Sequence, residues 1–251
     1  MKKLLPAGVC FALVALWEAC VRIMHVPSYV LPTPSKVLVA LFADRATLAG
    51  HAWVTVGEAA SGMLIALFCA LVLGILMDAF PAFRQSVYPI LVVTQTVPMI
   101  VLAPILIIYL GFGLAPKILT VVLMCFFPVV VSFADGMREM DPAYAHLARS
   151  YGASKIQTYA LVKIPYALPA LASGLKVAAT YSISGAVVGE WIGAQAGLGY
   201  YLLRVKNSYA LDKMFACVLL IIVLSILMNG AVLIASRLAM PYLKRKKVQT
   251  Q

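Results

Sequence analysis

Six long apolar stretches separated by shorter polar segments dominate the amino-acid sequence. A helix that crosses a hydrocarbon core of ~30 Å needs ~20 consecutive apolar residues, and each stretch is long enough. The pattern therefore predicts six transmembrane helices, at residues 4–24, 55–78, 86–110, 116–135, 170–192 and 214–238. We expect an all-α, polytopic membrane protein. The first stretch has no small-x-small cleavage site, so it is predicted to be an uncleaved span rather than a signal peptide.

Composition agrees with a lipid-covered chain, and the positions of the charges give its orientation. Hydrophobic residues make up 63% of the chain and charged residues only 12%, whereas soluble domains average ~25% charged residues. With the N-terminus inside, 13 of the 20 Lys and Arg residues fall on the inner side, which predicts that both termini are cytoplasmic. These residues lie between apolar runs instead of on one face, so the net charge of +11 does not indicate nucleic-acid binding.

Residue types that usually carry catalysis or bind metals form no recognisable set in the sequence. The five cysteines are widely spaced inside apolar stretches, and no histidine has a second ligand at i+3 or i+4. The sequence contains neither His-Glu-x-x-His nor Gly-x-Ser-x-Gly. We therefore expect no catalytic residues and no metal site, which argues against an intramembrane enzyme.

Two predicted spans carry a small residue at every fourth position. These residues are Gly62, Ala66, Ala70 and Gly74 in the second span, and Gly174, Ala178, Ser182 and Ala186 in the fifth. Small residues let helix backbones approach closely, and rows of this spacing form ridges suited to helix packing. We expect both rows to lie at helix–helix contacts.

The polar segment 136–169 between the fourth and fifth spans is predicted to form a helical hairpin. Asp141 and Pro142 are typical of an N-cap and a first helical turn, and Gly152 is typical of a left-handed C-terminal cap. Ser154 and Gln157 have the spacing of a capping box, which predicts the start of a second helix. The segment should therefore read helix, glycine, helix.

Both helices of this hairpin would carry an apolar edge, and the second is expected to end at Pro165. An exposed apolar edge on a charged loop usually docks on another surface. One interpretation is docking on a protein. The other is a pair of interfacial helices on the inner leaflet, with Arg149, Lys155 and Lys163 reaching the headgroups. Both stay open from the residues alone.

The hairpin resembles the EAA loop of the permeases of ATP-binding-cassette (ABC) importers, since residues 146–165 read HLARSYGASKIQTYALVKIP. The family pattern is Glu-Ala-Ala, three residues, Gly, nine residues, Ile-x-Leu-Pro. The matching positions are Ala148, Gly152 and Pro165, with Leu147, Val162 and Ile164 as near matches. His146 stands where the pattern has Glu, so a contact made through that carboxylate does not carry over.

Three further segments are similar to the nitrate, sulfonate, taurine and thiamine-precursor branch of this family. They are WEACVRIMHVPSYVLPTPSKV near the start, QTVPMIVLAPILIIYLGFGLAPKI in the third predicted span, and GEWIGAQAGLGYY after the fifth. The motifs occur in the expected order over essentially the whole chain. The chain is therefore identified from its sequence as a member of the type I (EAA loop) ABC importer permeases.

The resemblance implies a type I ABC permease fold and a homodimer in the bacterial inner membrane. It also implies two cytoplasmic ATPase subunits and an external substrate-binding protein. The chain has no Gly-x-x-x-x-Gly-Lys-Ser/Thr loop, so we expect no cofactor in it, with ATP and magnesium bound by the partner ATPase. The segment after the fifth span is most similar to permeases for a thiamine-precursor pyrimidine, with aliphatic sulfonate, taurine or nitrate as the next candidates.

The expected domain organisation has three parts. Residues 1–51 hold the first span and an outer amphipathic segment, with Ser35 as the N-cap of a short helix. Residues 52–238 form the transmembrane domain with a coupling hairpin at 138–168, and residues 239–251 form a basic cytoplasmic tail.

Two sets of candidate functional residues follow. The resemblance assigns ATPase coupling to His146, Leu147, Ala148, Gly152, Ala153, Ile164 and Pro165. Polar groups inside the predicted spans are candidates for the translocation path, namely Thr94, Gln95, Thr96, Tyr181, Ser182, Ser184 and Glu190. Hydrogen bonding between helices is an equal alternative for the neutral groups, and Glu190 could instead contact the turn that follows its own helix. Glu18 and Glu58 are expected at the membrane interface because they lie near span ends.

A stand-alone, ion-coupled secondary transporter is the alternative function. Such a protein would need intramembrane carboxylates or a self-sufficient binding cavity. It would have no need of the hairpin with its glycine and proline at family spacing, so the importer permease is preferred.

Overall fold

A computed structural model of the protein describes residues 4–240, with side chains from residue 8 onward. No strand occurs among these residues. In chain order the elements are α1 (Leu4–Ile23), α2 (Pro34–Ala43), α3 (Arg45–Ala79), α4 (Pro81–Thr94), α5 (Met99–Leu110), α6 (Leu114–Arg138), α7 (Pro142–Ser150), α8 (Lys155–Thr158), a π-helical turn (Tyr159–Lys163), α9 (Ile164–Gly189), α10 (Leu198–Asn207) and α11 (Leu211–Ala239). Residues 241–251 of the predicted basic tail, and Lys2 and Lys3, lie outside the described part.

Several of these helices are long and apolar enough to cross a membrane. Four qualify on their own: α3, α6, α11 and the continuous helical run 155–189 that contains α9. The pair α4–α5 makes a fifth if it is counted as one broken span. The prediction of an all-α, multi-pass membrane protein is confirmed.

The predicted third span, 86–110, is wrong as a single helix. It is divided between α4 and α5, which are bent by 103° at the break between them. Pro98 directly precedes α5. Proline has no amide donor and disfavours the helical conformation of the residue before it, here Val97, which favours a break at this position. Apolar periodicity alone does not reveal this break.

The core of the bundle is formed by α3, α6 and α9, and the rows of small residues lie at their contacts. A Cβ added at Gly62 would meet Val121, and one added at Gly74 would meet the Phe133 ring, so α3 and α6 run parallel. A Cβ at Gly174 would meet the Pro128 carbonyl at 2.5 Å. The predicted close packing of both rows is confirmed, since glycine is required where backbones approach this closely.

The helices of the bundle meet at two ends, which are named here by the elements they contain. The hairpin end contains the last turn of α3, the end of α6 and the start of α9. The opposite end contains the start of α3 and of α6, the end of α9, and α10. Contacts between Gly136 and Ala170 at the hairpin end, and between Gly189 and Lys117 at the opposite end, show that α9 runs antiparallel to α6.

The amphipathic helix predicted after the first span is α2, which packs on α11 and α1. Val37 and Ala40 of α2 are buried with Ala216 of α11, and Trp17 of α1 packs against them. The prediction of Ser35 as N-cap is wrong. Thr33 caps α2 by accepting from the Lys36 amide, because Pro34 occupies the first turn.

Candidate functional site

The hairpin of α7 and α8 has the local structure that the sequence predicts. The Asp141 carboxylate caps α7 by accepting a hydrogen bond of 2.8 Å from the Ala143 amide. Gly152 has a φ of +83°, the left-handed conformation that favours glycine after a helix. The amide of Ala153 then returns to the carbonyl of Ala148 at 3.0 Å, which closes the end of α7.

The second helix of the hairpin starts as predicted but does not end where predicted. Both hydrogen bonds of the capping box between Ser154 and Gln157 are present. The helix then passes through the π-helical turn, where the Ile164 amide donates to the Tyr159 carbonyl, and continues as α9. Pro165 lies in the first turn of α9 rather than stopping the helix. The wider π turn shifts the hydrogen-bond register just before the proline. The helix therefore continues without a break, although Pro165 has no amide donor.

Large apolar side chains along the hairpin are exposed. Tyr151 is 86% exposed, Ile156 81% and Leu161 72%, and Tyr144 and Leu147 are more than half exposed. Of the predicted coupling residues, His146 and Gly152 are also exposed, whereas Ala148, Ala153, Ile164 and Pro165 are half-buried. The predicted apolar edge therefore exists and is uncovered in one copy of the chain.

A pair of polar contacts fixes the hairpin to the last turn of α3. The Asp78 carboxylate accepts from the Tyr159 hydroxyl at 2.6 Å and from the Lys163 ammonium at 2.5 Å. Nearby, the Arg84 guanidinium bonds to Asp135 at 2.7 Å and joins α4 to α6. Asp78, Arg84 and Asp135 line a cavity of about 690 Å³ at the hairpin end. The hairpin is thus attached to α3 by a charged contact.

Sequence reasoning missed this attachment because its partners are 81 and 85 residues apart in the chain. The available signal was an acidic residue, Asp78, that follows the long apolar part of α3. A carboxylate there is costly unless it is paired, which could have marked it as a contact site.

At the opposite end, Glu190 organises the turn between α9 and α10. One of its carboxylate oxygens accepts from the Thr55 hydroxyl at 2.7 Å, and the other accepts from the Gly199 amide at 2.5 Å. Thr55 in turn accepts from the Leu198 amide at 2.8 Å. A carboxylate at the first amides of α10 also interacts favourably with the helix dipole. This geometry corresponds to the helix-end contact that the sequence left open for Glu190.

Gly197, in the turn between α9 and α10, lies against the Glu190 side chain with no room for a larger residue. Its φ is +111°, and a Cβ there would overlap the Glu190 carboxylate. Gly111 also has a positive φ, +74°, but a Cβ there meets nothing within 4 Å. Gly197→Ala should therefore lower the free energy of unfolding by about 1–3 kcal/mol more than Gly111→Ala, because only the former adds overpacking. Unfolding of the purified protein in detergent measures the difference, and equal losses would contradict this packing.

A buried ion pair joins α3 to α6 close to Glu190. The Lys117 ammonium bonds to Glu58 at 2.9 Å, and the two residues are 8% and 3% exposed. Helix α3 begins at Arg45, ten residues before the predicted start of the span, so Glu58 lies within the helix and its side chain is buried against α6. Its place at the membrane interface stays a prediction. Its second carboxylate oxygen has no hydrogen-bond partner among the described residues. Glu18, in contrast, is partly exposed and pairs with Arg22.

A third polar contact at this end joins α10 to α11 and to the loop before α3. The Asp44 carboxylate accepts from the Tyr201 hydroxyl at 2.7 Å and from the Lys213 ammonium at 2.8 Å. The hydrogen bond from Lys213 lowers the pKa of Asp44. The carboxylate is therefore charged at neutral pH and holds both helices.

The candidate path residues do not form one cluster. Ser182 is fully buried, Glu190 is 1% exposed, and both are satisfied within the protomer. Tyr181 and Ser184 are exposed on α9. Thr94, Gln95 and Thr96 occupy the break between α4 and α5, where Thr94 and Thr96 donate to carbonyls three residues earlier. Ser182 and Glu190 are thus enclosed by the protomer, whereas Tyr181 and Ser184 are exposed on the surface of a single copy.

Known proteins are similar to this chain in sequence and in fold. A family model for the inner membrane component of binding-protein-dependent transport systems matches residues 62–239. A probable ABC transporter permease protein of Haemophilus influenzae is 34% identical over 226 residues, which cover 90% of this chain and 91% of that one. The formylaminopyrimidine transport permease protein ThiX of Halalkalibacterium halodurans is 30% identical over 235 residues, covering 93% and 94% of the two chains.

The fold likewise matches a solved transporter. A chain of the inward-facing MetNI methionine ABC transporter superposes with a TM-score of 0.68 at 20% identity. The match covers 77% of this chain and 96% of that one. At this level of identity the match concerns the fold alone.

Proposed function

The chain belongs to the inner membrane components of binding-protein-dependent transport systems, and we propose that it forms the membrane path of an importer for a thiamine-precursor pyrimidine. Members of this family are permease subunits of ABC importers rather than enzymes. ATP and magnesium are bound by separate ATPase subunits, and an external binding protein delivers the solute. The relative that transports formylaminopyrimidine supports this solute. An aliphatic sulfonate, taurine or nitrate is the runner-up.

The proposed topology has six spans and both termini in the cytoplasm. Four helices are long and apolar enough to cross the membrane on their own. The other two proposed spans are α1, which has 20 residues, and the broken pair α4–α5. The hairpin end then faces the cytoplasm, because that orientation places 13 of the 20 basic residues inside. Two copies of the chain complete the path, and each hairpin contacts one of two ATPase subunits.

The exposed apolar edge of the hairpin is the main observation that supports docking on an ATPase subunit. Side chains such as Tyr151 and Ile156 would face water in an isolated cytoplasmic hairpin, which favours a protein partner at this surface. Asp78 ties the same hairpin to α3, so a movement imposed by the partner would reach the spans. His146, Leu147, Ala148, Gly152, Ala153, Ile164 and Pro165 are the proposed coupling residues.

Ile156→Asp tests the docking surface. Ile156 is 81% exposed, so the substitution should leave the bundle folded but place a charge in the contact with the ATPase. We expect copurification of the ATPase in detergent to fall by about tenfold or more. Tyr29→Asp is the matched control, because Tyr29 is 68% exposed in the loop between α1 and α2. Unchanged copurification with Ile156→Asp would show that the edge rests on lipid instead.

A further inference from the structure

A groove between α9 and α11 contains hydrogen-bonding side chains that the fold does not use. We propose that this groove binds the transported solute during its passage, and that it accepts a neutral hydrogen-bonding solute such as an aminopyrimidine rather than an anion. The inference rests on the proposed function and deepens it, since it names residues of α11 that the sequence did not indicate.

The groove lies in the apolar middle of both helices. Thr180 and Ser184 of α9 and Ser225 and Asn229 of α11 line a volume of about 420 Å³. Asn229 holds the two helices together, because its amide nitrogen donates to the Lys176 carbonyl at 3.3 Å and to the Thr180 hydroxyl at 3.2 Å. The polar wall is therefore positioned by a contact within one protomer.

Part of this polar wall has no partner within the described residues. No hydrogen bond to the side-chain oxygen of Asn229 or to the Ser184 hydroxyl is found there, whereas Ser225 donates to the Ile221 carbonyl at 2.9 Å. Hydrocarbon chains offer nothing to such groups, and a polar group left unpaired in an apolar medium costs free energy. Occupancy by water or by a polar solute would satisfy them.

The chemistry of the lining indicates the kind of solute. None of the described residues that line the groove is charged, and isoleucines and Gly230 of α11 form the rest of its wall. Lys176, one turn before Thr180, contributes its carbonyl to the contact with Asn229, and it is not among the lining residues. A sulfonate or nitrate would need a cation or several amide donors to replace its water. An aminopyrimidine offers N–H donors to the free oxygens and flat apolar faces to the isoleucines. The groove thus fits a neutral heterocycle better than an anion.

Cysteine accessibility tests the groove without any knowledge of the solute. In a chain whose exposed cysteines Cys10, Cys20 and Cys69 are replaced by serine, Ser225→Cys should react with a charged, water-soluble methanethiosulfonate, because only the hydrated thiolate reacts. Leu227→Cys is the matched control. Leu227 is 62% exposed and lies on the opposite face of α11, so a thiol surrounded by lipid there stays protonated and should not react with the charged reagent.

A second variant separates the groove from the surrounding surface. A Cβ at Gly230 would meet nothing within 4 Å, so Gly230→Leu should fill the groove without disturbing the protomer. In the Ser225→Cys chain it should slow methanethiosulfonate labelling on the order of tenfold. Gly57→Leu, also in open space on a helix, should leave the rate unchanged.

Three results would overturn the proposal. Failure of Ser225→Cys to react with the charged reagent, the result expected of Leu227→Cys, would mean that lipid fills the groove. A disulfide between two copies on oxidation, in place of labelling, would mean that a second copy covers it. Equal labelling rates with Gly230→Leu and Gly57→Leu would mean that the reagent reaches the thiol by another route. None of these readouts depends on the ATPase, so their failure is distinguishable from failure of the docking test with Ile156→Asp.

Discussion

Lys117→Met should lower the free energy of unfolding by about 3–5 kcal/mol, because it leaves the buried carboxylate of Glu58 without its counter-charge. Glu58 is 3% exposed, and one of its oxygens already lacks a hydrogen-bond partner in the described part of the chain. The lost ion pair at 2.9 Å is thus the main compensation for this charge. Unfolding of the purified protein by denaturant in detergent micelles measures the loss.

The double variant Glu58→Met and Lys117→Met is the control for this prediction. Replacing both members of a buried ion pair by apolar residues of similar size is often neutral or stabilising. We therefore expect the double variant to recover most of the stability lost by Lys117→Met. A single variant as stable as the parent chain would mean that Glu58 is not held charged by Lys117.

Gly152→Val should abolish most transport while leaving the protein folded in the membrane. Gly152 has a φ of +83°, and a Cβ there meets nothing within 4 Å, so the whole effect comes from backbone conformation. A β-branched residue in this region costs about 1–3 kcal/mol, which the hairpin can relieve by changing its shape. Since 1.4 kcal/mol corresponds to tenfold in an equilibrium constant, we expect uptake to fall by about tenfold or more.

Gly111→Val supplies the matched control for the hairpin variant. Gly111 has a φ of +74° and the same open surroundings, but it lies between α5 and α6, away from the hairpin. Uptake by proteoliposomes that contain the complete transporter compares the two variants. Equal losses of uptake would show that the conformation of the hairpin has no special part in transport.

The features that the sequence predicts correctly are local ones. Asp141, Gly152 and Ser154 act through hydrogen bonds and dihedral angles of their own neighbourhood, so their positions in the chain define the hairpin. The rows of small residues in α3 and α9 are also readable, because their spacing matches a helical ridge.

The features that it misses depend on distant parts of the chain. Glu58 and Lys117 are 59 residues apart, and their pairing follows from the parallel packing of α3 and α6. Pro165 has the local signature of a helix end, yet the π turn before it lets α8 continue into α9. The break before Pro98 falls at the polar residues Thr94, Gln95 and Thr96 of a long apolar stretch, in which averaged hydropathy shows only a single span.

The candidate path shows the same division. The sequence indicates Ser184 in the fifth span, but it does not indicate Ser225 and Asn229, which lie in a highly apolar helix. They become candidates only when α11 packs beside α9 and Asn229 reaches the Thr180 hydroxyl. Residue type alone does not distinguish a hydroxyl at a groove from one such as Ser182, which is buried and bonded to its own helix.

The source of energy for transport tests the central claim most directly. The chain would be reconstituted in proteoliposomes with its ATPase and binding protein, and uptake of labelled formylaminopyrimidine would be measured with ionophores that dissipate all ion gradients. We predict that uptake requires ATP on the side of the membrane that the hairpin and the ATPase occupy. Uptake should persist when the ion gradients have been dissipated. Uptake that stops on dissipation of the gradients while ATP is present would contradict this account and identify an ion-coupled transporter.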